Sequence, residues 1–108
     1  MQILSTIATY TTSPVTVASL FTSVPRCTRI LIQPASGSHV AFVETAGVAT
    51  GGTDATDGVI YRLAAWASTG ILDRFDIVSQ KQSNEIDLAS LQLDGTSGEK
   101  CKVSIFIS

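Results

Sequence analysis

Charge is scarce in this sequence and is absent from its first 25 residues. Asp, Glu, Lys and Arg make up 15% of the 108 residues, and seven basic against nine acidic side chains leave a net charge of -2. Proteins that bind nucleic acid gain most of their affinity by neutralising phosphates with basic side chains. The composition therefore argues against nucleic acid as a partner.

Long apolar runs are also lacking. Ser and Thr interrupt every apolar stretch, and no segment approaches the roughly 20 apolar residues that a membrane helix needs. The first charged residue is Arg26, so the basic region that opens a secretory signal is missing. We expect neither a signal peptide nor a membrane span, and the length fits a single domain.

Only two cysteines are present, Cys27 and Cys101, and each opens a predicted strand. An oxidising compartment would allow one bridge between them. If the two strands pair antiparallel in register, however, Cys27 lies opposite the region of Ile107, beyond bonding reach of Cys101. This register favours two reduced thiols with a structural role.

Catalytic motifs are missing around the single histidine, His39. Ser36, Ser38 and Glu44 lie nearby in sequence, so a Ser/His/acid arrangement can be drawn. No nucleophile elbow or oxyanion loop surrounds these serines, which a hydrolase of this kind would need. We expect His39 to be a polar turn residue and the protein to be no enzyme.

A metal or phosphate motif is missing as well. Asp54 and Asp57 lie in a Gly-rich loop over residues 44–58 and offer oxygen atoms that calcium prefers. A calcium loop needs several more oxygen ligands at set spacings and a distal Glu. No phosphate-binding Gly-x-x-x-x-Gly-Lys pattern occurs. A solvated loop without cofactor or metal is the expectation.

Short strands separated by turn residues are what the sequence does contain. Val17, Leu20, Phe21 and Val24 form one short helical face, and residues 35–38 are predicted as a hairpin loop. This pattern predicts an all-β fold, a small antiparallel β-sandwich or jelly-roll-like barrel with one short helical turn. The predicted strands cover residues 28–33, 39–43, 59–63, 75–79, 86–93 and 101–108. Pro34 and Gly37 are expected to end the first of these, and a change of face within 86–93 indicates a bulge or a bend.

The N-terminal segment alternates with both of its faces half apolar. Ile3, Ser5, Ile7 and Thr9 share one face, and Leu4, Thr6, Ala8 and Tyr10 share the other. Such a segment is either a first strand covered on both sides or an extended arm covered by another subunit. Residues 1–13 are accordingly an N-terminal arm or first strand, and residues 14–108 are one β-sandwich domain.

Aromatic residues are few, and two of them lie among polar or small neighbours. Trp66 and Tyr10 have the surroundings typical of interface anchors or sugar-stacking platforms, although a core position is equally open for Trp66. Phe21, Phe42 and Phe75 are expected in the core. The residues predicted to form a protein interface are Ile3, Ile7, Tyr10 and Trp66.

The order of the strand and turn segments in this sequence resembles that of one protein family. Residues 16–25 (TVASLFTSVP), 29–34 (RILIQP) and 40–43 (VAFV), followed by 86–95 (IDLASLQLDG) and 102–107 (KVSIFI), resemble small structural proteins of tailed bacteriophages. The resemblance covers most of residues 16–107 and implies a small β-sandwich. It also implies a role in decorating or cementing the capsid shell, or a place at the head–tail junction or on a fibre. The loop over residues 44–58 and the insert around Trp66 depart from the pattern.

The resemblance implies a virion protein, most simply a capsid decoration (cement) protein, and the lack of catalytic motifs agrees with a non-enzymatic role. Its partners would be the major capsid protein and further copies of itself, of which a trimer at a symmetry axis is one form. A neck, tail or fibre component is the first alternative. The second is a carbohydrate-binding β-sandwich module that uses Trp66 or Tyr10 as a platform and the Asp54 loop for sugar hydroxyls.

Overall fold

Antiparallel strands dominate the computed structural model, which describes residues 1–48, 58–69, 73–81 and 83–108. Two 3-10 turns and one short helix, α1 (Trp66–Thr69), complete the described elements; the turns span Val17–Leu20 and Leu88–Ser90. None of the described helices is long and apolar enough to cross a membrane. The strands are β1 (Gln2–Thr9), β2 (Val15–Thr16), β3 (Arg26–Cys27), β4 (Arg29–Ser36), β5 (Ala41–Thr45), β6 (Val59–Leu63), β7 (Phe75–Val78), β8 (Ile86–Asp87), β9 (Leu91–Asp94) and β10 (Lys100–Ile107).

The strands form two four-stranded sheets and one short pair. The first sheet has the order β1-β10-β4-β7, the second β2-β9-β5-β6, and β3 pairs with β8. Side chains from both sheets build one core, which confirms the predicted all-β, sandwich-like fold and the core positions of Phe21, Phe42 and Phe75. The fully buried side chains at its centre include Val17, Ile30, Ile32, Leu88, Val103 and Ile105.

The first residues form a strand of this domain. β1 pairs with β10 without interruption, from Gln2 opposite Ile107 to Thr9 opposite Lys100. Leu4 and Ala8 turn toward the core, where Ala8 is almost fully covered. In the structure residues 2–9 are therefore strand β1 of the domain, covered by the core on one side only, since Ile3 and Ile7 on its other side are exposed.

The predicted hairpin over residues 35–38 is wrong, because the two strands that it would join belong to different sheets. β4 pairs with β10 and β7, whereas β5 pairs with β6 and β9. Pro34 also does not end β4, which continues to Ser36. β7 accompanies β4 only as far as Ile32, so the missing N–H of Pro34 costs no hydrogen bond to β7. Gly37, with φ of +115°, then turns the chain toward the other sheet.

The predicted short helical turn is present as a 3-10 turn over Val17–Leu20, directly after Val15 and Thr16 have paired with β9. A matching turn follows β8. The segments TVASL (16–20) and DLASL (87–91) share their pattern, and in each the serine hydroxyl donates to the carbonyl of the first residue at 2.6 Å. Each turn also inserts one fully buried side chain, Val17 or Leu88. The two turns therefore share the same hydrogen bond and the same way of placing an apolar side chain in the core.

Candidate interaction surface

One surface of the first sheet points away from the core, and we call it the outer face. Side chains on a strand alternate between the two faces of a sheet, so every second residue of β1, β10 and β4 lies there. The strand registers place these residues in three rows: Ile3 with Phe106 and Arg29, Ser5 with Ser104 and Leu31, and Ile7 with Lys102 and Gln33.

Apolar side chains are unusually exposed on the outer face. Ile3 is 58% exposed and Ile7 53%, although both are large and aliphatic. Val78, which lies opposite Arg29 on β7, extends the first row and is also exposed. These exposed apolar side chains share one face, with the row of Ser5 and Ser104 between Ile3 and Ile7, and exposed apolar surface is where interaction sites on soluble proteins are sought.

Trp66 joins this surface from a distant part of the chain. It is the first residue of α1 and is 40% exposed. The N–H of Ala67 donates to the carbonyl of Gly37 at 3.0 Å, which fixes the helix beside the end of β4. A shallow groove of about 220 Å³ results, lined by Ile7, Gln33, Pro34, Ala35, Trp66 and Lys102. Its apolar floor has a polar rim.

A second groove, of about 350 Å³, lies at the opposite end of the outer face. Phe106 lines it, and the Arg29 guanidinium lies 4.8 Å above the centre of the Phe106 ring. The same guanidinium donates two hydrogen bonds to Asp76, at 2.9 and 2.8 Å, which lower the pKa of that carboxyl. Sequence reasoning missed Phe106, although Phe106 follows Lys102 and Ser104 at every second position and therefore lies on the same face as they do.

The predicted interface residues separate into two groups. Ile3, Ile7 and Trp66 are brought onto the outer face, where their contact role stays a prediction. Tyr10 requires a correction, because its side chain is only 5% exposed and belongs to the core. It continues the inward phase of Ala8, and its ring packs so closely on Gly95 that a Cβ there would lie 2.7 Å from it.

The histidine does not lie in a catalytic arrangement. His39 Nδ1 lies 2.8 Å from Glu99 Oε2, and the His39 N–H donates to Glu99 Oε1 at 3.1 Å. Ser38 Oγ is 3.4 Å from the same ring nitrogen, so the imidazole does not bridge an acid and a nucleophile through its two nitrogens. Glu44, the acid considered from sequence, is fully buried and accepts a hydrogen bond from Gln92 instead.

The other candidate sites are a metal site, the Asp54 loop and a cavity beside β6. No group of three His, Cys, Asp or Glu side chains there could hold a metal ion. Asp54 and Asp57, considered as calcium or sugar ligands, lie outside the described residues. A cavity of about 460 Å³ beside β6 is lined by Ser38, Val40, Arg62, Ala64, Ala65 and Ser68, without a carboxylate or thiol.

Both cysteines are buried free thiols, as the sequence favoured. Cys101 lies opposite Pro34 on β4, whereas Cys27 pairs with Ile86 on β8. Burial raises the pKa of each thiol to about 11, which keeps both protonated at neutral pH. Thiolate chemistry therefore has no place in the site.

No protein-family model matches this sequence, and no curated protein or solved structure is significantly similar to it. The outer face is therefore interpreted from its own residues. It offers an apolar, two-grooved surface on a sheet whose opposite side is a packed core, which is suited to binding a partner.

Proposed function

We propose that this chain is a non-enzymatic structural protein of a tailed-phage virion, a decoration protein that binds the assembled head. The observation that carries the proposal is the placement of Ile3, Ile7 and Trp66 on one face of a sandwich. The resemblance of residues 16–107 to small phage structural proteins supplies the virion context. The major capsid protein is the proposed partner.

The outer face has the composition of a protein-binding surface. Interfaces combine an apolar, often aromatic centre with a polar rim. Trp66 and Ile7 supply the apolar part of the first groove, and Gln33 and Lys102 supply its rim. Tryptophan in such a position is among the residues that contribute most to binding free energy.

Binding of this kind stabilises a shell by mass action. A ligand that binds only the assembled state lowers the free energy of that state relative to its separated subunits. A chain that spans the joint between two shell subunits binds the assembly and not the free subunits. Decoration therefore requires a contact surface on a folded domain, and the outer face is the surface we propose for it.

The first experiment measures the copy number of this chain in purified particles. Quantitative mass spectrometry would compare it with the number of major capsid protein copies. A ratio near one supports decoration of the whole shell. A few copies per particle would replace this proposal by a neck, tail or fibre role, and complete absence would refute a virion role.

The second experiment tests the surface. Purified chain would be mixed with heads that lack it, and the bound fraction measured by co-sedimentation. Trp66→Ala should weaken binding by about tenfold or more, since anchoring residues contribute roughly 1.4 kcal/mol or more. Ile60→Ala is the matched control, because Ile60 is 46% exposed but lies on β6 of the other sheet. Equal binding by the two variants would contradict the assignment of the outer face.

A carbohydrate-binding module is the second candidate. The exposed indole of Trp66 lies in one groove with Gln33 and Lys102, whose polar ends suit sugar hydroxyls. Tyr10 no longer supports this alternative, because it is buried. A glycan array probed with the wild-type chain and Trp66→Ala separates the two functions, since only a sugar-binding module gives a glycan signal that the substitution removes.

A further inference from the structure

β1 is an open edge of the first sheet that lacks the usual protection. Among the described residues it pairs only with β10, along all eight of its residues. Edge strands are normally shielded by charge, proline, a bulge or shortness. β1 has no charged residue, no proline and no break in its register. At the other edge of the sheet, β7 is four residues long and carries Asp76.

The backbone groups at this edge can be assigned. The Tyr10 N–H donates to the Glu99 carbonyl at 2.9 Å, and the Phe106 carbonyl accepts from Thr28 at 2.7 Å, on the β4 side of β10. Backbone hydrogen-bonding groups alternate in direction along an antiparallel strand, so Leu4, in register with Ile105, faces β10. The residues whose N–H and C=O groups point to the open edge are therefore Ile3, Ser5, Ile7 and Thr9.

These residues are self-complementary. On the outer face of β1, the next residue on either side of Ser5 is an isoleucine, Ile3 in one direction and Ile7 in the other. An antiparallel copy centred on Ser5 places Ile3 opposite Ile7 of the second copy, and Ser5 opposite Ser5. The edge-facing backbone groups of the two strands then meet in hydrogen-bonded pairs, and no charged side chains of β1 oppose each other.

We infer that two copies of this chain pair through β1, antiparallel and with Ser5 opposite Ser5, into one continuous eight-stranded sheet. The pairing is isologous, so one strand of each copy satisfies the edge of the other. The two-fold axis runs through the sheet, and both outer faces lie on the same side. Two Trp66 grooves then face a partner together, which increases apparent affinity for a repeating surface.

A second copy is favoured over a strand from a different protein by this palindromic pattern. A strand from a different protein could pair through its backbone groups alone. The symmetric placement of Ile3 and Ile7 about Ser5 matters only when the paired strand is identical. Cross-strand aliphatic pairs stabilise a sheet, and the symmetric register forms two Ile3–Ile7 pairs. The inference concerns association in solution and does not depend on the proposed virion function.

Charge exchange at Ser5 tests the register. Two like charges opposite each other destabilise strand pairing, so Ser5→Lys and Ser5→Glu should each be monomeric. An equimolar mixture of the two variants should form mixed pairs, measured by sedimentation equilibrium and native mass spectrometry. Ser5→Ala is the matched control; it loses the hydrogen bond to Ser104 but should pair like the wild type.

Amide hydrogen exchange by NMR tests the edge independently and needs no substitution. Leu4, Thr6 and Ala8 should be protected at every protein concentration, because their N–H groups face β10. Ile3, Ser5, Ile7 and Thr9 should become protected only as concentration rises and pairs form. A wild-type chain that is monomeric at high micromolar concentration, or a trimer, or failure of the mixed variants to pair, would overturn the inference.

Measuring pairing in solution and binding to heads on the same variants tests this inference and the proposed function separately. Trp66→Ala should remain paired in solution while losing affinity for heads. A chain that pairs through β1 but does not bind heads would refute the decoration role alone. A monomer that binds heads fully would refute only the pairing.

Discussion

Ile7 and Trp66 line the same groove, although one belongs to the first strand and the other begins the only described α-helix. The sheet supplies the aliphatic side chain, and the connection between β6 and β7 supplies the aromatic one. The groove therefore exists only in the folded chain. Its indole is also the single tryptophan of the protein, which makes it a direct reporter of binding.

Trp66 fluorescence should change when the outer face is occupied. The partly exposed indole should emit at shorter wavelength and be quenched less by iodide once heads cover it, because water is excluded from the groove. Emission spectra with and without heads measure this effect. An unchanged spectrum at saturating binding would show that the partner contacts a different surface.

Replacing Glu44 should destabilise the fold. Its carboxylate is fully buried and accepts a hydrogen bond from Gln92 Nε2 at 2.8 Å. Glu44→Leu removes this acceptor beside a buried amide, and we expect a loss of about 1–3 kcal/mol in the free energy of unfolding. Glu44→Gln retains an acceptor and should lose less. Urea denaturation measures both, and equal stability of the two variants would contradict the role of this hydrogen bond.

The thiols should make the protein less stable at alkaline pH. Burial raises the pKa of Cys101 from 9.0 to about 11, so the folded state retains a proton that the unfolded state releases above about pH 9. Stability is therefore present below pH 9 and is lost as pH rises toward 11, by about 1 kcal/mol between pH 8 and pH 10. Cys101→Ala should reduce this slope in urea denaturation without abolishing it, because the pKa of Cys27 is raised to the same value of about 11. A slope that the substitution leaves unchanged would assign the loss to other groups.

Glu99 should contribute to stability at neutral pH and lose that contribution in acid. The hydrogen bond from His39 lowers the pKa of Glu99 below its usual 4.5. The contribution is present above pH 4.5 and is lost as pH falls through the lower folded-state value. The melting temperature should fall between pH 6 and pH 3, and it should fall less in His39→Ala than in the wild type. Asp76 acts as an internal reference, since Arg29 lowers its pKa in both proteins.

Local patterns predicted the strands well where one side faces the core. Val103 and Ile105 alternate with Lys102 and Ser104, and β10 covers this segment. The failure at Pro34 is of a different kind. Whether a proline ends a strand depends on whether a neighbouring strand reaches its nitrogen. Here β7 pairs with β4 only as far as Ile32, and β7 comes much later in the sequence. The pairing of strands between two sheets is equally non-local.

The candidate surface was predicted only in part for similar reasons. The alternation that places Ile3 and Ile7 on one face also places Tyr10 in phase with Ala8, the phase that faces the core. The polar neighbours of Tyr10 in the sequence point the other way, toward an exposed position. Phe106 was missed because Ile105 and Ile107 flank it, so the apolar run hides its phase. The pairing of His39 with Glu99 joins the connection between β4 and β5 to the turn that precedes β10, and no spacing in the sequence indicates it.

The shortness of β7 determines how large an assembly this sheet can build. In a pair joined through β1, the two edges that the described strands leave on the continuous sheet are both β7, four residues long, with Asp76 held by Arg29. Neither edge can template another long strand. If two copies pair through β1 as inferred, growth of the sheet should therefore stop after one addition, which gives a closed unit of defined size and not a fibre.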